Sequence, residues 1–339
     1  MKRARWFLSL ALLCVLPSIA QTTLLSQAGA ASSDEASWQR YLHIIRTSTL
    51  EWSASEPFQL KVEYQLYDLD GRPTVKGTAE EDWTEADGKQ IRIQSSSLVI
   101  GDAPPADKYA VFRRESYLVH QALNALTRPF PAPTERKDFA MDEFHQTLEH
   151  SELNCFSLVK PGTSRALESP AYCTNTDNQI VAMMGHLFVL ERGDFRKYRT
   201  HEVPNHVSLS YEGKPAITMQ VTELDPLPDA KVANNKLKKP SSNVVRVSIE
   251  AIAGLFLKHK EPQYPKEAKK KHIAGEVLLT AIITKQGTIA GLEVIASPDQ
   301  LLTQAAKEAV QDWTYRPYLM NGLPTEVETT ITVNFAFGK

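Results

Sequence analysis

The residues able to do chemistry are few, and their spacing works against it. His145 and His150 are five residues apart, as are His201 and His206, which flank Pro204. A helical zinc site needs ligands one turn apart, as in His-Glu-x-x-His, and that motif is absent. Both pairs read as surface histidines. Glu80, Glu81 and Asp82 set three carboxylates in a row. They fall in a segment of strand character, where neighbours point to opposite faces, so no general acid–base pair is expected. Gly-x-Ser-x-Gly, Walker-type and Gly-x-Gly-x-x-Gly loops are missing as well. The sequence therefore predicts no catalytic, metal-binding or cofactor-binding residue, and no enzyme. The net charge of −2 lacks the basic footprint of a nucleic-acid binder.

The cysteines depend on where the chain is read to begin. Lys2, Arg3 and Arg5 precede an apolar run from Trp6 to Leu16, and Pro17-Ser18-Ile19-Ala20 offers small residues for cleavage after Ala20. This reads as a cleavable export signal over residues 1–20, and the protein is expected in the periplasm. The alternative is an uncleaved inner-membrane anchor facing the periplasm, for which the run is short. Cleavage removes Cys14 and leaves Cys155 and Cys173. In an exported chain two cysteines read as a disulfide; a metal or redox pair is the alternative, but no histidine stands at ligand spacing.

The elements that position these residues follow from periodicity. Trp38, Tyr41, Leu42 and Ile45 share one helical face, in a helix opened by Ser32-Ser33-Asp34-Glu35 and ending near Trp52. Phe58 to Leu66 alternates as a half-buried strand. Asp70-Gly71 turns it into a partner over Thr74 to Trp83, and Asp87-Gly88 leads to a third strand over Gln90 to Ser96. Tyr117 to Leu126 and Met141 to His150 have helical character, with Pro129, Pro131 and Pro133 between them. Strands resume at Leu153–Val159, Ala171–Thr174, Ile180–Met184 and His186–Glu191, and Glu202–Leu209 pairs with Ala216–Leu224. Pro226 to Asn243, with Lys231, Lys236, Lys238 and Lys239, reads as a linker. Beyond it come an alternating segment at Val244–Ile249, a short helix at Lys266–His272 and strands at Gly275–Thr284 and Thr288–Ala296. A helix from Leu301 to Trp313 and a last strand from Thr325 to Phe337 end the chain.

The fold class read from this pattern is α+β. Residues 34–225 are expected to form a mostly antiparallel β domain with a few helices, residues 226–243 a linker, and residues 244–339 a second domain.

The C-terminal motifs carry a resemblance. Pro262-x-Tyr264-Pro265-x-x-Ala268, Ile273-x-Gly275-x-Val277, Gly287, Ser297 and Ala305-Ala306 are followed by Trp313-x-Tyr315-x-Pro317, Gly322-x-Pro324 and Val333-x-Phe335. In order and spacing this stretch resembles the TonB C-terminal domain family. The resemblance implies two helices packed on a small antiparallel sheet. It makes Pro262, Tyr264, Pro265, Gly275, Gly287, Trp313 and Pro317 structural residues of the family motif. It also implies an envelope-protein partner, of the outer-membrane transporter type, that adds a strand to an exposed sheet edge. The candidate edge is the last strand, through Thr325, Glu326, Val327, Glu328, Thr329, Thr330, Ile331, Thr332, Val333, Asn334 and Phe335, with Glu326, Glu328, Thr330 and Thr332 facing outward. A folded domain stands where the family's energy transducers carry a long Pro-rich spacer, so a soluble or weakly anchored periplasmic adaptor is expected. The N-terminal helix-then-meander order resembles the lipoprotein-carrier class, which implies an alternative role as a carrier of a lipid or other hydrophobic ligand.

Overall fold

The computed structural model of the protein describes residues 35–51, 56–85, 88–101, 113–129, 140–148, 151–159, 170–228, 244–247 and 249–337. The expected export signal, Ser32 to Asp34, Trp52, Asp87, Pro131, Pro133, His150 and most of the expected linker lie outside the described residues.

The elements in chain order are α1 (Glu35–Ser48), β1 (Phe58–Tyr67), β2 (Pro73–Thr84), β3 (Gly88–Ser95), β4 (Val99–Ile100) and α2 (Arg114–Thr127). There follow β5 (Ala140–Leu148), β6 (Ser151–Val159), β7 (Ala171–Thr174), β8 (Ile180–Met184), β9 (Phe188–Tyr198), β10 (His201–Tyr211) and β11 (Lys214–Pro226). The C-terminal part holds β12 (Val245–Arg246), α3 (Ile249–Ala253), β13 (Phe256–Lys258), α4 (Lys266–Lys270), β14 (Gly275–Ile283) and β15 (Ile289–Ala296). It closes with α5 (Gln300–Val310), β16 (Thr314–Tyr315), β17 (Leu319–Met320), β18 (Leu323–Pro324) and β19 (Val327–Phe335). The fold is α+β, with many strands and few helices.

Strands β1 to β11 form one sheet in the order β4-β3-β2-β1-β11-β10-β9-β8-β7-β6-β5. The chain runs outward through β1 to β4, crosses by way of α2 to the far end at β5, and returns strand by strand until β11 pairs with β1. Alternation dictates which side is dry. Phe58, Leu60, Val62, Tyr64 and Leu66 of β1 are buried, while Lys61 and Glu63 face away from that core. Helix α2 fills the dry side. Its Tyr117, Leu118, Val119, Ala122, Leu123, Ala125 and Leu126 share a core with β1, β9, β10 and β11. A helix this apolar around its circumference is stable only when enclosed. Helix α1 forms a second cluster, in which Tyr41, Ile44 and Ile45 meet Met141, Phe156, Tyr172 and Ile180. Met183 packs against both clusters and joins them.

Three expectations fail locally. Met141, Phe144 and Leu148 have the spacing of a helical stripe, yet residues 140–148 are strand β5. All nine pair with β6 through an unbroken antiparallel ladder, and that long-range pairing overrides a short helical pattern. The alternating Val244–Ile249 is strand only at Val245–Arg246, and helix α3 begins at Ile249. Strand β9 also starts later and runs seven residues further than expected, from Phe188 to Tyr198.

Cys155 and Cys173 face each other across β6 and β7 and are joined by a disulfide. The bond closes a loop of sequence separation 18, which the chain-entropy relation values at ~3 kcal/mol. Reduction, or a Cys155→Ser/Cys173→Ser double replacement, is expected to lower the unfolding free energy by about 2–4 kcal/mol in urea titrations. Coincident curves with and without reductant would show that the bond holds nothing.

Strands β12, β19, β14 and β15 form the second sheet, in that order. Its core gathers Val277, Leu279, Ala281, Val327, Ile331, Val333 and Phe335 with Ile252 of α3, Ala268 of α4 and Leu302, Ala306 and Val310 of α5. Asp299 starts α5 by accepting the Leu301 amide at 2.7 Å. Gly287 turns β14 into β15 at φ 81°. A Cβ there would stand 1.8 Å from the Tyr315 carbonyl oxygen, and the Tyr315 amide donates to the Gly287 carbonyl at 2.8 Å.

Candidate functional site

Strand β19 has two unlike edges. On one side it pairs with β14 over nine residues, from Gly275 opposite Phe335 to Ile283 opposite Val327. On the other, β12 runs parallel to it for two residues only, Val245 beside Val327 and Arg246 beside Glu328. The amides of Val245 and Val247 donate to the carbonyls of Glu326 and Glu328 at 3.0 and 2.9 Å. Backbone groups of alternate residues point the same way, so those of Thr330, Thr332 and Asn334 face this outer edge too. Past Glu328, no strand among the described residues pairs with it.

The side chains of this strand fall into three kinds. Val327, Thr329, Ile331, Val333 and Phe335 are buried. Thr325, Glu326 and Thr330 are half-buried, and Thr332 and Asn334 are exposed. Glu328 departs from its expected outward position. It is buried, accepts from Arg246 Nε at 2.6 Å and from Thr280 Oγ1 at 3.2 Å. Strand β12 covers it, and a covered carboxylate needs the cation that β12 brings.

The motif residues sit under this sheet as parts of its frame. Tyr264 meets Phe335 edge to face and Phe337 at a tilt, each with ring centres 5.5 Å apart, and its hydroxyl donates to the Ile273 carbonyl at 2.7 Å. Trp313 is buried, and its Nε1 donates to the Lys260 carbonyl at 2.9 Å. Gly275 begins β14 at φ 136°, against Pro298. Pro262 and Pro265 are half-buried, and Pro317 is exposed.

The sheet's opposite face rests on the larger sheet. Ile295 and Ala296 of β15 join the core built around α2. Arg114, at the start of α2, donates from Nε to the Ile295 carbonyl at 3.0 Å and from Nη1 to the Tyr67 carbonyl at 2.8 Å. His186 meets Glu276 at 3.4 Å. Between the two sheets lies a cavity of about 820 Å³, walled by Tyr117, Leu190 and Leu209 on one side and Leu278, Thr330 and Thr332 on the other. Arg192 of β9 is buried: its Nη1 donates to the Ile180 carbonyl at 3.1 Å, while Nε and Nη2 have no hydrogen-bond partner among the described residues. Burial pushes its pKa down to about 9. Sequence reasoning missed Arg192 because it ended that strand at Glu191, one residue short.

The residues first weighed for catalysis are apart. His145 is exposed on β5, and His206 lies on β10 in a polar groove with Glu63 and Lys76. Glu80 and Asp82 share Arg92, at 3.0 and 2.7 Å, on one face of β2. Glu81 points the other way, buried, with Lys89 at 3.5 Å. No cluster of three or more His, Cys, Asp or Glu able to hold a metal occurs among the described residues. No helix among them is long and apolar enough to cross a membrane.

Comparison with known proteins finds a similarity in the C-terminal part. The family model for the Gram-negative bacterial TonB protein C-terminal matches residues 260–337. Protein TonB of Vibrio cholerae serotype O1 is 29% identical over 76 residues, which is 22% of this chain and 31% of that protein. The chain thus matches less than a third of the length of that curated relative. Among solved structures, the TonB CTD of Pseudomonas aeruginosa is similar at 24% identity and a TM-score of 0.24, covering 29% of this chain and 98% of that one. A LolA superfamily protein from Nitrosomonas europaea is similar at 9% identity and a TM-score of 0.32, covering 56% of this chain and 95% of the other. A putative outer membrane lipoprotein-sorting protein domain from Vibrio parahaemolyticus is similar at 8% and 0.35, covering 60% and 96%. The C-terminal segment carries the TonB C-terminal family pattern expected from its motifs.

Proposed function

We propose, from the TonB C-terminal match over residues 260–337, that this is a periplasmic protein of envelope transport that binds an envelope-protein partner by strand pairing. Residues 244–339 form its binding domain and residues 34–225 a second domain. The partner is a peptide of the outer-membrane transporter type, laid along the outer edge of β19. The observation that carries this reading is the edge itself, which β12 occupies for two residues and which no strand among the described residues covers from Thr329 onward. An added strand finds alternate donors and acceptors at Thr330, Thr332 and Asn334.

The test removes one edge donor without touching the β14 ladder. Proline is tolerated in a strand where its missing amide faces outward. Thr332→Pro is therefore expected to leave the fold intact by circular dichroism. It should weaken capture of transporter-derived peptides from outer-membrane extracts by about 10-fold or more, the equivalent of one or two backbone hydrogen bonds lost at an interface. Undiminished capture by a folded Thr332→Pro protein, or no capture by the unmodified one, would sink the edge-pairing reading.

A second reading, a carrier of a hydrophobic ligand, is favoured by the cavity between the sheets. Its volume, about 820 Å³, suits one small amphiphile. Native mass spectrometry of the freshly purified full chain is expected to show a bound molecule of lipid mass.

A further inference from the structure

We propose that the cavity between the two sheets receives side chains of the strand that adds to β19. The partner is then an extended peptide segment with large apolar residues at alternate positions and an acidic residue on the same face, which meets Arg128. This rests on the edge-pairing reading and specifies the peptide that the edge takes.

Two residues join the edge to the cavity. Thr330 and Thr332 lie on the stretch of β19 that no strand among the described residues covers, and both also line the cavity, beside Leu278 and Glu276 of β14. The register explains this. Thr332 stands opposite Leu278 and Asn334 opposite Glu276, so these residues share one face of the small sheet. Leu278 packs on the core around α2, so that face is turned to the large sheet. Ile331, Val333 and Phe335 take the other face, in the small sheet's own core. After β12 the chain enters α3, whose Ile252 packs in that same core and so on the side away from the cavity.

Cross-strand neighbours share a face. Every second side chain of a strand added beside Thr330 and Thr332 therefore turns toward the large sheet, one strand spacing, about 4.8 Å, further out. On an isolated small sheet those side chains would meet water. Here they enter a space walled by Tyr117 of α2 and by Leu190 and Leu209 of β9 and β10. The edge from Thr329 to Phe335 is about 20 Å long, which gives about three inward side chains. A volume of about 820 Å³ is of the size that buries a drug-sized molecule, so it takes more than one of them.

The charges on the wall set the polarity of the peptide. Arg128, His186 and Glu276 are the lining residues able to carry charge near neutral pH. Two of them settle each other: His186 meets Glu276 at 3.4 Å, and Glu276 also accepts from Asn334 Nδ2 at 2.9 Å. Arg128, just past the end of α2, is exposed and has no ion pair among the described residues. The unmatched charge of the cavity is therefore positive and sits at its rim, where a carboxylate can reach it without leaving water altogether.

The test uses the full chain, stripped of any bound lipid, and fluorescein-labelled ten-residue peptides read by fluorescence anisotropy. Every odd position of each peptide is threonine. The even positions are all serine, or leucines with a glutamate at one end of the series or the other, or leucines with a lysine in the glutamate's place. The better leucine–glutamate peptide is expected to bind about 10- to 100-fold more tightly than the serine peptide, the range for burying one or two apolar side chains. It should also bind about 3- to 10-fold more tightly than its lysine counterpart. Arg128→Glu is expected to reverse the glutamate–lysine preference. Gln121→Trp, which fills the cavity from α2 without touching the small sheet, is expected to remove the advantage of leucine over serine. Thr332→Pro should weaken every peptide. Peptides that all respond to Thr332→Pro but bind alike overturn this proposal and leave edge pairing standing. A leucine advantage that survives Gln121→Trp, or a charge preference that Arg128→Glu does not reverse, overturns it as well. Dansyl-undecanoic acid whose binding is lost in Gln121→Trp, while the peptides ignore that variant, gives the space to a lipid and also overturns it. Binding of no peptide, or binding indifferent to Thr332→Pro, overturns the edge-pairing reading and this one with it. Should Gln121→Trp fail to fold, the peptide series on the unmodified chain and on Arg128→Glu decides.

Discussion

Gly287→Ala is expected to destabilise the C-terminal sheet by at least about 3 kcal/mol, among the largest effects a single methyl group can have. Two costs add. The backbone at Gly287 has φ 81°, a left-handed conformation that charges any residue with a Cβ about 1 kcal/mol or more. The new methyl would also stand 1.8 Å from the Tyr315 carbonyl oxygen, a backbone atom with no rotamer to escape into. Relief requires the β14–β15 turn and β16 to separate, which breaks the bond from the Tyr315 amide to the Gly287 carbonyl. Tyr315 is 1% exposed and packs on Phe256 at 4.5 Å, so the separation admits water to that ring cluster. Trp313 fluorescence followed through urea reads the outcome. A midpoint within experimental error of the unmodified protein would show that the turn yields freely and that the close approach is unimportant.

Lys89→Met is expected to cost about 3–5 kcal/mol at neutral pH, the usual consequence of stranding a buried carboxylate. Lys89 reaches the carboxylates of Glu51 and Glu81, and donates to Asn124 Oδ1 at 2.9 Å and Thr127 Oγ1 at 3.1 Å. One ammonium thereby ties the end of α1, strand β2 and the end of α2 together. Glu81 is fully buried, and burial raises its carboxyl pKa well above the ordinary 4.5 against the opposing pull of Lys89. A carboxyl with a raised folded-state pKa binds its proton more tightly folded than unfolded. Its contribution is complete below about 4.5 and is lost as the pH rises through the folded-state value. Without Lys89 the folded-state value rises further. The deficit of Lys89→Met should therefore shrink as the pH is lowered from 8 towards 4.5, and adding Glu81→Gln should recover much of it at neutral pH. A deficit that stays constant with pH would place the loss in packing of the lysine stem and not in the stranded charge.

The sequence made some of this legible for specific reasons. Strand β1 was readable because one face is dry and the other wet, so Phe58 to Leu66 alternates without exception. The helix at Tyr117–Leu126 was readable from apolar density alone, and it extends from Arg114 to Thr127. The stretch 140–148 misled because an edge strand with one half-exposed face can space Met141, Phe144 and Leu148 as a helix would; only β6, a partner outside the local window, decides it. In the C-terminal part, Gly275 and Gly287 announced themselves because glycine marks backbone that other residues avoid. Glu328 did not. Its burial depends on Arg246, eighty-two residues earlier in the chain, arriving on β12. Arg192 was invisible for a related reason: a charged residue at an inward strand position reads locally as the end of the strand, and only the buried neighbours on β10 show that the strand continues.

Arg114 holds a carbonyl of β1 with one nitrogen and a carbonyl of β15 with another. Mechanically it acts as a rivet through two plates. A peptide laid on β19 and pulled along its length would load the β14–β19 ladder in shear, with nine residue pairs resisting together, and not peel it open pair by pair. The load would pass across β14 to β15, and through the guanidinium to Tyr67 at the end of β1, whose other pairings run to β2 and β11 near the middle of the large sheet. Tension at the small sheet's edge would therefore be felt first where the two sheets meet, and the space they enclose would be the first part of the molecule to change shape.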